Sequence, residues 1–527
     1  MRRPKACAAC RARRRKCEIQ PGRDRCDYCE LQVIACVHEL PRGGWYEKRA
    51  IHQGQNASHI PGSHNESTSP SSSIDHRFTR LPDLDVITEL VGLYFDYIHN
   101  VFHWLFHRPT FMDEVARRVV PEPILLGILA LAARFSNNPY FAGIEPRERG
   151  RIYSTEAERQ FNLRDISLQT VQLGIMLGAA ATVDGDTAAE NLFYSVTCRL
   201  AHMLGLPNRP TSSPIERELD IRVWWSLCLA DVWSSTAVKL PRLMPSDISA
   251  PLPMDELPFL ALSPMADGVV STPVSERRSP MLTEMIKLNR ILIQVNDFNQ
   301  QCALHPPSPE ELDEGVQALE AKLEAWMRDK PEDVADNEDN FSWFQTHGLG
   351  RDFAALYLGY YHFGQLLYYQ FLHAGTGQPE GSKARAYSNR CKSHSAQLCD
   401  MIYRAFFTPG CDVRYLMVAH VLVIASTVQI HTLLFSEDEG QIADARKRLE
   451  KNFEILLHLR PYWPVLDRIM GRLRAFHEMC RVNMSSSFVL DRWMLRFLVE
   501  FGGVMDEKPA RSPVDPDTIY RLDTLIS

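Results

Sequence analysis

Cys7, Cys10, Cys17, Cys26, Cys29 and Cys36 stand at the spacing C-x2-C-x6-C-x8-C-x2-C-x6-C, so the second half of the array repeats the first. Thiolates are soft ligands suited to tetrahedral zinc, and two cysteines separated by two residues can turn both sulfurs onto one ion. Six thiolates are too few for two separate four-thiolate sites, yet they suffice when two sulfurs bridge two ions. The array therefore predicts a binuclear metal cluster. A disulfide framework would need an oxidising compartment and a secretory signal, and the basic start MRRPK is not followed by an apolar stretch.

The residues between the cysteines set the purpose of such a cluster. Arg2, Arg3, Lys5, Arg11, Arg13, Arg14, Arg15 and Lys16 precede or interleave the first three ligands, with no acidic residue up to Cys17. That density of positive charge beside a metal-stapled turn is suited to phosphate. The stretch KACAACRARRRKC…CDYCELQVIAC resembles the fungal Zn2Cys6 transcription factors at all six ligand positions. The resemblance implies two zinc ions per chain, one held by Cys7, Cys10, Cys17 and Cys26 and the other by Cys7, Cys26, Cys29 and Cys36, with Cys7 and Cys26 bridging. It also implies two short helices around the metals, the first, RARRRK, entering the DNA major groove.

On that resemblance Arg13 and Arg14 occupy the base-reading positions, and arginine can bond O6 and N7 of guanine together, which suits CGG-like triplets. Arg11, Arg15 and Lys16 fit phosphate contacts, with Arg23 and Arg25 as weaker candidates. Relatives often carry a proline close before the fourth cysteine, whereas Pro21 lies five residues before Cys26, a departure in the loop. Asp27 with Glu30 reads as a weak capping box opening a helix toward Cys36. The resemblance implies a nuclear regulator that binds double-stranded DNA and transcription machinery, as a pathway-specific activator of metabolic or secondary-metabolite genes. A zinc-stapled interaction or RNA-binding protein is the alternative; against it, Tyr28 is the only ring inside the cluster to stack on bases.

The elements that must carry this head form a different kind of chain. Residues 1–50 hold 13 Lys/Arg against 6 Asp/Glu, a net +7, which leaves −14 for the rest because the 527 residues total −7. Between Val37 and Pro82 the composition turns to Gly, Ser, Asn, His and Pro, read as a flexible linker (37–82). It contains no sustained apolar heptads, so a homodimer remains undecided.

From residue 83 to about 505, apolar residues recur at helical spacing: VITELVGLYFDYI, EPILLGILALAARF, SLQTVQLGIMLGAAA, AAENLFYSVTCRLAHMLGL, DIRVWWSLCLADVWSS and FAALYLGYYHFGQLLYYQFL. The fold class is thus a small zinc cluster plus a large all-α regulatory domain. LYFDYIHNVFHWLFHRPTF (93–111) and RELDIRVWWSLCLADVWSS with the PSDISAPLP turn (217–253) resemble the family's middle homology region. That region implies a small-molecule or protein effector. Trp224, Trp225, Leu227, Leu229 and Trp233 read as core.

Arg222 and Asp231 are candidates for a charge pair. His99, His103 and His107 would align as a zinc set only on one continuous helix, and the HRP turn at His107 is expected to end it. The apolar stretch 415–435 reads as a buried bundle helix rather than a membrane span. Cys198, Cys228, Cys302, Cys391, Cys399, Cys411 and Cys480 lack paired spacing and read as reduced thiols. DKPEDVADNEDNFSWF (329–344) and the acidic tail 506–527 have the composition of disordered activation segments, or of plain loops. No Walker loop, dinucleotide fingerprint, HExxH or nucleophile elbow is present, so no catalysis is expected.

Overall fold

The computed structural model describes Cys17, Cys26, Cys29 and residues 81–499 apart from 239, 248, 264–276 and 483–486. The chain divides into two units, residues 1–74 and 75–527, and every helix with described bounds belongs to the second. Pro82 is already buried, so the folded domain begins slightly inside the stretch expected to be linker. The remainder of 37–82 and the tail 506–527 lie outside the described residues.

The domain runs through α1 (Leu84–Tyr97), α2 (Arg108–Ala116), α3 (Glu122–Ala132), α4 (Arg151–Gln160), α5 (Leu168–Asp184), α6 (Thr187–Leu204) and α7 (Pro214–Val238). It continues with α8 (Glu256–Leu260), α9 (Met281–Leu304), α10 (Pro309–Asp329), α11 (Glu338–Thr346), α12 (Gly350–Tyr368) and α13 (Phe371–Ala374). The last group is α14 (Lys383–Phe406), α15 (Leu416–Phe435), α16 (Glu439–Leu459), α17 (Leu466–Val482) and α18 (Arg492–Val499). Among the described residues there is no strand, only an isolated bridge between His99 and His103, as the expected all-α domain requires.

Local chemistry sets the helix ends. Ser167 accepts the Thr170 amide at 3.2 Å and Asp186 the Ala189 amide at 3.0 Å, satisfying donors that the first helical turn leaves open. Gly185 closes α5 at φ +74°, a left-handed conformation that glycine adopts without a Cβ penalty. Ser308 and Glu311 form a reciprocal capping box at the start of α10.

The α5–α6 hairpin packs tightly because α5 presents glycines to it. A Cβ at Gly178 would sit 2.6 Å from the Tyr194 ring, and one at Gly174 would meet the Thr197 hydroxyl. Buried apolar residues from α1 through α18 join in one continuous cluster. α7, α9 and α18 pack on one another, joining helices far apart in sequence.

α15 has the length and composition of a membrane span, with a mean hydropathy of 1.8, yet 83% of that window is buried within the domain. It packs against α14, α16 and α17. The reading as a bundle helix holds, and its even apolar surface reflects contact on every side.

Candidate functional site

Three of the six array cysteines are described. Cys26 and Cys29 are fully buried, Cys17 is partly exposed, and Cys29 is helical. Two buried thiols at C-x2-C spacing fit a shared soft cation, and sulfur is the donor type that zinc takes in closed structural sites. Among the described residues no group of three or more His, Cys, Asp or Glu is placed to hold a metal. Each expected zinc ion would draw only two of its four thiolates from them. Cys7, Cys10, Cys36, Arg11, Arg13, Arg14, Arg15 and Lys16 lie outside the described residues.

The histidines at 99, 103 and 107 do not align, because α1 ends ten residues before His107. Asn100 takes φ +69° and turns the chain, a conformation that asparagine tolerates better than most residues. His107 then stands at the N-cap of α2 instead of at a helix end. Each ring serves its own hydrogen bonds. His99 Nε2 accepts the Leu105 and Phe106 amides at 3.1 and 3.0 Å, His103 Nε2 meets the Tyr94 hydroxyl at 2.7 Å, and His107 Nε2 meets the Phe259 carbonyl at 3.0 Å. Burial lowers all three below the ordinary imidazole range, His103 to about 3.

Arg222 and Asp231 do not pair. Nine residues separate them, which on a helix is half a turn round the axis and about 13 Å along it. Arg222 Nε instead donates to Glu218 Oε1 at 2.8 Å, Nη2 donates to the Met254 carbonyl at 2.7 Å, and its guanidinium lies 4.2 Å from the Phe259 ring centroid. Burial pushes Glu218 up to about 7 against the opposing pull of the Arg222 charge. Asp231 Oδ2 accepts the Leu243 and Met244 amides at 2.7 and 2.9 Å, and Trp225 Nε1 donates to the Pro251 carbonyl at 2.8 Å. α7 thereby holds down the segment that follows it.

The acidic segment 329–344 is folded. A short 3-10 turn at Glu332–Val334 leads into α11. Asp336 accepts from Arg404 Nη2 and from the Tyr361 hydroxyl, each at 2.6 Å, and Asp333 accepts the Arg278 amide at 3.0 Å. Its acids serve tertiary contacts, which overturns the reading as a disordered activation segment or plain loop. The seven scattered cysteines are buried, and burial raises the Cys302, Cys399 and Cys411 thiols to about 11. They are poor nucleophiles and poor metal ligands at neutral pH.

A cavity of about 140 Å³ lies where α5, α6, α7, α9 and α12 meet the loop before α2 and the start of α15. Its wall is largely apolar and aromatic, with Phe102, Trp104, Leu229, Trp233, Leu288 and Phe363. Trp233, read from the sequence as core, is one face of it and stacks on His362 with centroids 6.1 Å apart and planes 16° apart. Burial holds His362 near 3 and raises Glu190 to about 8, the latter partly offset by a hydrogen bond from Thr182. Periodicity gave Glu190, Asn289 and His362 no role; polar residues inside apolar helical segments were the only trace of them.

Residues 91–328, from α1 to the last turn of α10, match the fungal specific transcription factor domain. That stretch, just under half of the chain, belongs to the family of fungal specific transcription factor domains. Its relatives include a Schizosaccharomyces pombe protein described as an uncharacterized transcriptional regulatory protein, 30% identical over 34% of this chain and 20% of its own length. A second such S. pombe protein is 23% identical over 77% of this chain and 54% of its own length. A Zn(2)-C6 fungal-type transcription factor of Fusarium oxysporum f. sp. lycopersici is 22% identical over 84% and 52%. The chain thus spans about half or less of the length of the relatives it matches. The matched domain contains the Arg222 network and every cavity wall except those from α12 and α15.

Proposed function

We propose that the chain is a sequence-specific DNA-binding transcription regulator acting in the nucleus. The observation that carries this reading is the family domain at 91–328 downstream of a complete six-cysteine array. Cys7, Cys10, Cys17, Cys26, Cys29 and Cys36 hold two zinc ions, which supply the folding free energy of a module too small to build its own core. Arg13 and Arg14 read CGG-type triplets in the major groove, while Arg11, Arg15 and Lys16 neutralise phosphate. The helical domain receives an effector and relays its presence to the transcription machinery.

Fluorescence anisotropy with the intact protein tests the reading. Zinc-loaded protein should bind CGG-containing duplexes more tightly than scrambled duplexes or RNA, with affinity falling steeply as salt rises. Binding that survives chelation, or that favours RNA, would refute it. Genome-wide mapping of bound sites then identifies the genes, the half-site spacing and whether one or two heads bind.

A further inference from the structure

Three side chains that line the cavity, on three different elements, each carry a buried polar atom without a hydrogen-bond partner. They are Trp104 from the loop before α2, Asn289 from α9 and His362 from α12, whose Nε1, Oδ1 and Nε2 atoms respectively are the unpartnered ones. Trp104 and His362 are more than nine-tenths buried. Leaving a buried polar group unsatisfied costs on the order of 1–3 kcal/mol, so three at one void mark a place built for a guest.

The chemistry of the three atoms describes that guest. An indole Nε1 can only donate. The Gln365 amide nitrogen faces His362 Nδ1 at 2.9 Å, and in this assigned orientation the neutral imidazole keeps its hydrogen on Nε2 and donates there as well. Asn289 donates its Nδ2 to the Met285 carbonyl at 3.5 Å and leaves Oδ1 as an acceptor. A guest that satisfies all three would accept from the two N–H groups and give a hydrogen to Asn289.

Charge and size narrow it further. No Lys or Arg lines the cavity, and Glu190 is its one acidic group, so an anion entering it would lose its hydration with no opposite charge to meet. The two N–H donors oppose a cation. A void near 150 Å³ accommodates a benzene-sized ring, and the walls here are mostly apolar and aromatic.

We propose that this cavity binds a neutral, single-ring carbonyl compound carrying an N–H or O–H group, with its carbonyl oxygen at Trp104 and His362 and its donor at Asn289. The proposal gives the effector in the function proposed above a chemical class, and it rests on that reading only for its regulatory consequence. Binding of the compound and binding of DNA are measured separately, so either can fail alone.

Three probes of similar size separate the possibilities in the intact zinc-loaded protein: benzamide, benzoate and toluene. Saturation-transfer NMR and thermal shift should show benzamide binding and raising Tm, with benzoate and toluene at least about tenfold weaker. The wall helix α12 carries Gly359, where an added Cβ meets nothing closer than 3.6 Å. Gly359→Leu should therefore fold, fill the void and abolish benzamide binding. Asn289→Leu should weaken benzamide about tenfold while leaving toluene unchanged. Equal binding of benzoate, undiminished binding to Gly359→Leu, or failure of all three probes to bind the wild-type protein would overturn the proposal; the last result would mean that the void holds water only.

Discussion

Arg222 and Glu256, 34 residues apart in sequence, meet at 3.5 Å inside the helical domain with both side chains 2% exposed. Glu256 Oε2 also accepts the Met281 amide at 2.8 Å and Oε1 the Leu282 amide at 3.1 Å, so one carboxylate joins α7 to the open N-terminus of α9. Removing the arginine would leave Glu218 and Glu256 buried without their cation. Arg222→Leu should therefore destabilise the domain by about 3–5 kcal/mol, seen as a lower urea midpoint by tryptophan fluorescence. A midpoint within error of wild type would show that the network carries no stability.

Glu190 gives stability a pH dependence of predictable sign. Its carboxyl is raised from 4.5 to about 8 by burial, so the folded state favours the proton. That contribution is complete below pH 4.5 or so and is lost as pH climbs through about 8. Glu190→Gln, which resembles the protonated form, should melt like wild type near pH 4 and above it near pH 9, by about 3–5 kcal/mol. Parallel melting curves at both pH values would contradict this.

Two glycines make an internal comparison. Gly92 in α1 has nothing within 4 Å of an added Cβ, whereas at Gly178 three atoms of the Tyr194 ring lie within 2.9 Å. Gly92→Ala should stabilise by about 0.5–1 kcal/mol through helix propensity. Gly178→Ala should destabilise by about 1–3 kcal/mol as α5 and α6 are forced apart. Thermal denaturation of the two variants checks both signs.

The proposed bridging arrangement separates the cysteines by stoichiometry. Cys26→Ser removes a sulfur shared by both ions and should release all the zinc together with DNA binding. Cys17→Ser touches one ion, so metal analysis should find partial retention. Identical zinc content in the two variants would rule out a shared sulfur at Cys26. In either case, loss of metal should unfold the head, since metal binding and folding are one equilibrium there.

Base and phosphate contacts leave different traces in salt. Arg14→Ala should cost about 1–3 kcal/mol on a CGG duplex and much less on a scrambled one, because a base contact is lost. Lys16→Ala should weaken both duplexes alike and lower the slope of log affinity against log salt by about one. Anisotropy titrations on both duplexes at several salt concentrations read the two effects apart.

The fold class was legible because helical periodicity is a local property. The stretch VITELVGLYFDYI is the body of α1, SLQTVQLGIMLGAAA with its Ser167 cap is α5, and FAALYLGYYHFGQLLYYQFL is α12 running into α13. Pairings were less legible. Arg222 sits on α7 nine residues from Asp231; its nearest carboxylate is Glu218, one turn back on the same helix, and Glu256 joins it only through the return of residues 251–256 across that helix. The histidines do not align as a metal set, as expected, but the helix ends well before the HRP turn: apolar residues continue through IHNVFHW after α1 has ended at Tyr97. The cavity left no signal at all, since a void is what side chains from seven segments fail to fill. The cysteine array is a different case: its spacing predicts a binuclear cluster, and three of its six cysteines lie outside the described residues.

The covering of α15 arrives from both directions along the chain, with α14 before it and α16 and α17 after it. During synthesis, a 20-residue apolar segment free of charged side chains leaves the ribosome before two of the helices that shelter it, α16 and α17, exist. Until residues through Val482 have emerged, that segment has the signature by which insertion machinery selects membrane spans. Folding of the domain would thus require α15 to stay apart from that machinery through the interval between its own translation and that of α17.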